Sequence, residues 1–546
     1  MNTKLITLAS LATLVSCLLS CNKEQLTVSP NTVVTPEITN QLQMVFGKAL
    51  SKALAADPEI RKFIQAESLK MFDVDNDVLY QMVKDTPIGK GETLHDRVAH
   101  YLTADELVAI EDKMPLLTIL VPTLPSGFSP DTWVADQEIP KVAVRKLGDD
   151  KVPLYDENGQ ETVIQPGNIP GFPVVVVKQN ERVTVSTNGE SKGEPSLSPF
   201  YQNPKFSFSF TASAFDGIHP SAAEVEHRKL VSKINIKPKY PNPGANTRLG
   251  YYFGNGPGII SERAIGAYHV DIANPNYEWQ RDYVYYGITP SAPRGRFNDH
   301  FRETIQNFQL TNAGIVRMSG YAGDPNSPTV GGNYQYGTSY WTDGAYEFLI
   351  SVLCNPKDGS TAQKTIRFGA SPQVLYYALY NQSGNYYQIR QVIPYSFNPS
   401  VIVAAWDLQN FGTAWTYHVF EENQTVTTTQ QETATTTYAA NFEFDPTFLG
   451  FIKGGAKFGA SAVSVNQKVV TVQYTTGSTD LGEQTAYFYD PIITGVSAAG
   501  GGEFRGNDGL YYGSYNTFDL VLGGSAGFVS LSVEPYSVIA TDNDIL

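Results

Sequence analysis

Cysteine is almost absent. The 546 residues hold three, Cys17, Cys21 and Cys354, so only one lies in the body of the chain. A lone thiol closes no intrachain disulfide, and within the apolar run 348–354 Cys354 reads as a small core residue rather than a nucleophile. Histidine is sparse as well. No His-Glu-x-x-His occurs, and His95 and His100, five apart, share no helical face suited to zinc. His219 and His227 flank Glu224 and Glu226, a set that gathers a metal only if a turn folds it together; surface loop positions explain it as well. The glycines of 254–258 lack the lysine and following helix of a phosphate loop. Basic charge is short: 39 Lys and Arg stand against 54 Asp and Glu, a net charge of −15, which disfavours nucleic acid as a partner. Beyond residue 20 no apolar run approaches the roughly 18 residues of a membrane-spanning helix.

What is present begins at the N-terminus. Lys4 precedes an apolar run, 5–19, that is too short to cross a bilayer and closes on Leu18-Leu19-Ser20-Cys21. This arrangement resembles the signal of bacterial lipoproteins cut by signal peptidase II. The resemblance implies removal of residues 1–20, acylation of Cys21 on its sulfur and its freed amine, and stable anchoring, since each buried methylene contributes about 0.8 kcal/mol. Leu14-Val15-Ser16-Cys17 competes as a cleavage site, but cutting there leaves Leu18 and Leu19 in the mature chain. An ordinary secretory signal or a buried N-terminal helix is the plainer alternative. Asn22-Lys23-Glu24 is similar to the export signal of Bacteroidota surface lipoproteins, with Gln25 where a second acid usually stands. The expected address is therefore the cell envelope, lipid-anchored to the outer membrane and surface-exposed. Only Lys4 is lost with the leader, so 38 cations against 54 acids leave a mature net charge of −16.

The expected fold class is mainly β: a multidomain β-sandwich-like architecture with a small α-helical N-terminal region. Residues 21–36 are polar and Pro-containing, a lipidated tether. Residues 37–115 form the helical region. Ile38, Leu42, Val45, Phe46, Ala49, Leu50, Ala53 and Leu54 recur at helical spacing, Asp57-Pro58 interrupts before a second helix over 59–71, and further turns cover 78–84 and 104–113, the last opened by a Thr103 to Glu106 capping box. From 116 the chain reads as strand and turn, with a β-domain over 116–200, an aromatic-rich β-domain over 201–395 and a Thr/Gly-rich β-domain over 396–546. Asp156-Glu157-Asn158-Gly159 marks a hairpin turn, 174–177 a strand covered on both faces, and Phe206, Phe208 and Phe210 a strand with three rings on one face.

Two residue sets are candidates for binding. Asp73, Asp75 and Asp77 offer hard oxygens at the first, third and fifth positions of a calcium loop, although Val78 stands where the sharp-turn glycine belongs and Lys84 where the bidentate glutamate belongs. Helix capping is the duller explanation, and no cofactor is required; calcium is the one metal these residues suggest. The terminal Asp542-Asn543-Asp544 is similar and equally unspecific. Tyrosine, at 32 residues, clusters, and the rings that suit stacking on a glycan or a protein are Trp279, Tyr285, Tyr286, Trp341, Tyr376 and Tyr377. The same rings also fill sandwich cores.

The most unusual local pattern runs from Trp406 and Trp415 into a Thr-rich stretch, 426–438, then a Gly- and Phe-rich connector, 448–458, then a strand-like run, 463–474. Thr-rich strands around such a connector resemble the insertion region of aerolysin-like pore-forming proteins, which implies one wet and one lipid-facing side after closure into a barrel. Thr-rich edge strands on an ordinary sandwich are the alternative, since 426–437 shows no alternating apolar face. The sequence thus points first to a lipid-anchored binding or adhesion protein that recognises glycan or protein through exposed aromatics. A pore-forming protein using 426–474 comes second, and a secreted hydrolase built on acidic residues third.

Overall fold

In the computed structural model the described residues are 35–220 (less 90, 148, 150 and 189–196), 262–271, 280–287, 297–318 (less 299), 329–330, 333–334, 339–354, 362–404 (less 398 and 400), 414–422, 431–439, 467–475, 478–487, 491–497, 504–505, 511–514, 518–520 and 527–537. The lipobox with Cys21, the tether to residue 34, the 221–261 stretch and the Asp542-Asn543-Asp544 tail lie outside them.

Helix α1, Pro36–Ala56, starts where Thr35 accepts a hydrogen bond from the Ile38 amide and Pro36 fills a position that needs no donor. Asp57 ends it and caps α2, Pro58–Ser68, by accepting from the Glu59 amide. The next apolar residues are not helical from 78 as the spacing suggests. Asp77–Leu79 is strand β1, followed by a single turn, α3, Tyr80–Val83, and by a short helix, α4, Leu94–Ala99, which the sequence pattern does not signal. The Thr103 and Glu106 side chains satisfy each other's backbone amides, and α5, Ala104–Lys113, follows as expected.

The helices cover a six-stranded sheet. Its further strands are β2, Leu117–Leu120; β3, Lys141–Val144; β4, Val152–Tyr155; and β5, Glu161–Ile164; then, past the two-residue β6, Ile169–Pro170, comes β7, Val174–Gln179. The order is β1-β2-β7-β3-β4-β5, antiparallel except where β3 runs parallel to β7. Every residue of β7 is buried, as its valine run requires. Leu42, Phe46, Ala49, Leu50 and Ala53 of α1 belong to the same core as Val142, Val144 and Val174 to Val177. The approach is close at Gly47, where a Cβ would lie 2.6 Å from Val144 Cγ2. Gly159, at φ +73°, turns the β4–β5 hairpin, with Asp156 Oδ1 accepting from the amides of Asn158 and Gln160.

Strand β8, Val183–Thr187, pairs with β9, Phe206–Phe210. The rings of Phe206, Phe208 and Phe210 fill a second core with Phe72, Leu79, Leu116 and Phe215. Farther along, helices α6, Glu262–Asp271, and α7, Gln280–Tyr286, precede the long strand β10, Phe301–Leu310. A four-stranded antiparallel sheet follows, built from β11, Tyr346–Cys354, and β12, Ala362–Ala370, and later joined by two strands from farther along the chain. Between its halves the hairpin β13, Tyr376–Ser383, and β14, Tyr386–Pro394, reaches back to pair with β6. Among the strands that follow are β15, Ala414–Glu421; β16, Gln431–Ala439; β17, Gln467–Thr475; β18, Thr479–Tyr487; and β19, Val529–Ser537.

The four-stranded order is β12-β11-β15-β18, and β19 pairs with β10 along its whole length in a separate sheet. These two sheets meet face to face: Phe308 of β10 lies 4.6 Å from Phe348 and 5.3 Å from Phe368, ring centre to ring centre. Strands thus dominate and helices gather at the N-terminus, a mainly β protein. No helix among the described residues is long and apolar enough to cross a membrane, which says nothing of strands that do so in a barrel.

Candidate functional site: a free ribbon and a buried ion cluster

The ribbon arises from ordinary sheet chemistry. Strands β15 and β18 are antiparallel neighbours, with Glu421 opposite Thr479 at the end of their shared register. The 57 residues between them, 422–478, leave the sheet at that point and return to it. Within that excursion β16 and β17 pair with each other over nine positions, from Gln431 opposite Thr475 to Ala439 opposite Gln467. Among the described residues they pair with no other strand. An edge strand of a sandwich is hydrogen-bonded to its sheet, so these threonine-rich strands are not edges of either sheet. Residues 423–430, 440–466 and 476–477, including all of the Gly- and Phe-rich connector, lie outside the described residues.

Register supplies what the β16 sequence alone does not show. Along β17, Val470, Val472 and Tyr474 alternate with Thr471, Gln473 and Thr475, and the pairing sets Val472 opposite Ala434 and Thr471 opposite Thr435. Directly opposed residues share a face, so Glu432, Ala434, Thr436 and Tyr438 of β16 fall with Lys468, Val470, Val472 and Tyr474 of β17, and Thr433, Thr435 and Thr437 fall with Val469, Thr471 and Gln473. Nine residues per strand meets the ~9–11 that a tilted strand needs to cross the hydrocarbon of a bilayer.

The aspartates proposed for calcium take part in a different arrangement. Asp73 Oδ2 accepts from Asn180 Nδ2 at 2.7 Å, Asp77 Oδ2 faces Lys178 Nζ at 3.2 Å, and Asp75 Oδ2 accepts from the Ala345 amide at 2.8 Å with Arg182 at 3.7 Å. Lys178 also reaches Glu181 Oε2 at 2.8 Å and the Asp343 carbonyl at 2.6 Å; Arg182 Nε donates to Glu347 Oε1 at 2.6 Å. Arg145 pairs with both Glu181 and Asp343. Val74, between two of the aspartates, sits at φ +68°, a conformation that costs a β-branched residue roughly 1–2 kcal/mol. Burial pushes the Asp73 carboxyl up to about 6 and the Glu347 carboxyl up to about 7, in each case against the pull of Arg182. The lysine ammonium and arginine guanidinium groups, rather than open coordination positions, face these oxygens. Among the described residues no group of three or more His, Cys, Asp and Glu is placed to hold a metal.

Most of the candidate rings belong to the core. Tyr285 is 0% exposed, Trp341 1%, Tyr286 3% and Tyr376 3%. Tyr285 lies parallel to Phe297, and the Tyr346 and Tyr376 hydroxyls meet at 3.3 Å. Tyr377 is half-buried, and Trp279 lies outside the described residues. Of the other two tryptophans weighed, Trp415 is buried and Trp406 lies outside the described residues. A buried ring has no face left to stack on a ligand. The half-exposed tyrosines Tyr380, Tyr386 and Tyr387 sit on the β13–β14 hairpin, where Tyr386 meets Phe172 edge-on.

The sparse histidines and the thiol are also accounted for. His95 Nδ1 lies 2.7 Å from Glu111 Oε1, which also faces Lys84; His219 is in a loop, and His227 with Glu224 and Glu226 lies outside the described residues. His418, on β15, contacts Asp480 through Nε2 and Glu483 through Nδ1, so its two nitrogens point to different carboxylates rather than to one ion. Burial pushes the Cys354 thiol up to about 11, away from nucleophilic use. Sequence reasoning missed Lys178 and Arg182. The available signal was a lysine directly after four buried valines, a position a cation occupies only with a partner.

No protein-family model, no curated protein and no solved structure matches this chain.

Proposed function

We propose that this is a membrane-inserting, pore-forming protein whose β16–β17 ribbon enters a lipid bilayer, and that Cys21 carries the lipid that holds the body at the cell envelope. One observation carries the first part: a threonine-rich antiparallel pair of bilayer-spanning length leaves the four-stranded sheet between two hydrogen-bonded neighbours and, among the described residues, joins no other sheet. A two-stranded ribbon alone is marginal in water, and in lipid its unpaired edges must be closed by ribbons from further copies. The chain therefore acts as an oligomer in the bilayer, with the face of Ala434, Val470, Val472 and Tyr474 toward lipid, its charged residues Glu432 and Lys468 near the two ends of the paired segment at the interfaces, and the face of Thr433, Thr435, Thr471 and Gln473 toward the lumen. Anchoring by acyl chains raises the concentration of the ribbon at the membrane surface.

Dye release tests the first part. Full-length protein added to loaded liposomes is expected to empty them in a concentration-dependent way; no release at any concentration contradicts the reading. The mass of the N-terminal peptide from the native host tests the second. A diacylglyceryl group on Cys21 with residues 1–20 removed is the expected product, and an unmodified thiol or an intact leader contradicts it.

A further inference from the structure

The ion cluster sits across a joint. On one side are the Asp73 to Asp77 loop, Arg145 after β3, and Lys178, Glu181 and Arg182 at the end of β7; on the other are Asp343 and Glu347 at the start of β11. The two sides are stitched by Arg182 to Glu347, Lys178 to the Asp343 carbonyl, Arg145 to Asp343, and the Ala345 amide to Asp75. The fit is tight: at Gly344, φ +91°, a Cβ would lie 2.2 Å from Asp75 Oδ2. Arg182 also lies over the Phe215 ring, 5.1 Å from its centre.

We propose that this cluster is a proton-linked joint: the face between the N-terminal sheet and β11 closes with uptake of protons and loosens as they are withdrawn. The charge census carries the proposal. Among the described residues six acids (Asp73, Asp75, Asp77, Glu181, Asp343 and Glu347) meet three cations (Arg145, Lys178 and Arg182), so with every one of these groups ionised they would leave three negative charges uncompensated in the closed joint. The strands flanking β11 do not correct the excess. They bring Glu421 and the Arg367–Glu422 pair, which is neutral in itself at 2.9 Å. Buried charge without a partner is costly, and a carboxylate escapes that cost by binding a proton.

The direction follows from linkage. Asp73 and Glu347 hold their protons to about 6 and about 7 in the closed state, above the ordinary carboxylate range they regain when opened to water. Asp77 is displaced the same way by its burial. The closed state's advantage is fully present below the ordinary carboxylate pKa and is lost as pH rises through these folded values. The joint is therefore firm in mild acid and slack above neutrality. Strand β11 is hydrogen-bonded to β15, whose end leads into the ribbon, so loosening acts on the strand beside the excursion.

Hydrogen exchange of the full chain between pH 5.5 and 8.5, with intrinsic rates corrected for pH, tests this without any variant. Protection of peptides covering 73–77, 174–182 and 343–350 is expected to fall by about tenfold or more across that range, the equivalent of one pKa unit, while α1 keeps its protection. Glu347→Gln, or Asp73→Asn should the first not fold, makes the dependence shallower. Protection that stays flat or rises with pH overturns the proposal. So does a fall shared equally by α1, which would report global loosening rather than a joint. This inference does not depend on pore formation; the exchange result stands whether or not liposomes leak.

Discussion

Replacing residues 423–477 by Asn-Gly is expected to reduce dye release to that of protein-free liposomes and to leave the body folded. The design follows from register. Glu421 and Thr479 are opposed at the end of the β15–β18 ladder, so Glu422, Asn, Gly and Ser478 close a four-residue hairpin where the excursion begins. Glu422 is retained because it pairs with Arg367. Neither sheet loses a strand, and the melting temperature is expected to move by about 3 °C or less, the scale of 1 kcal/mol in a domain of this size. The decisive comparison is release per folded molecule. Release that survives the deletion removes the ribbon from the mechanism, whereas a body that fails to fold assigns 423–477 a structural role that the pairing of its described strands only with each other does not suggest.

The second large effect is on stability. Arg182→Ala leaves Asp75 and Glu347 facing each other across the joint without their shared cation, and it strips the Asp73 carbonyl of its donor at 2.8 Å. Breaking a buried pair by removing one partner costs about 3–5 kcal/mol, so thermal melts at pH 7 are expected to show a large drop or loss of the folded state. Glu347→Gln behaves differently. The amide keeps an acceptor oxygen for Arg182 and resembles the protonated acid that the site already favours, so its cost is expected to be about 1 kcal/mol or less. Equal effects from the two substitutions would mean that shape, not charge balance, governs this joint.

Local pattern made much of the body legible. The 3.6-residue spacing over α1, the Thr103 to Glu106 box, the Asp156 to Gly159 turn, the valine run of β7 and the three phenylalanines of β9 each carry their own structural reason. Asp77–Leu79 did not, because three residues show no period and the strand exists only through Leu117–Leu120, with Asp77 opposite Leu120. The site was less readable for the same reason at longer range. Asp73, Asp75 and Asp77 are spaced like calcium ligands, yet their partners Lys178, Asn180 and Arg182 lie more than 100 residues away and Ala345 lies 270 away. Nothing local separates an aspartate awaiting a metal from one awaiting an arginine. Tyr285 and Trp341 pose a similar problem, since the rings that stack on ligands are also the rings that fill cores. In the ribbon, threonine content was visible but the opposition of Val472 to Ala434 was not, because register belongs to the pair.

An environment-sensitive dye placed in turn on single cysteines at positions 467 to 475, in a chain with its native cysteines replaced, reads the central claim residue by residue. On addition of liposomes, emission from positions 470, 472 and 474 should shift to the blue while 471, 473 and 475 stay in water, a period of two along β17. No shift at any position, or the same shift at all of them, would contradict insertion of this ribbon into a bilayer.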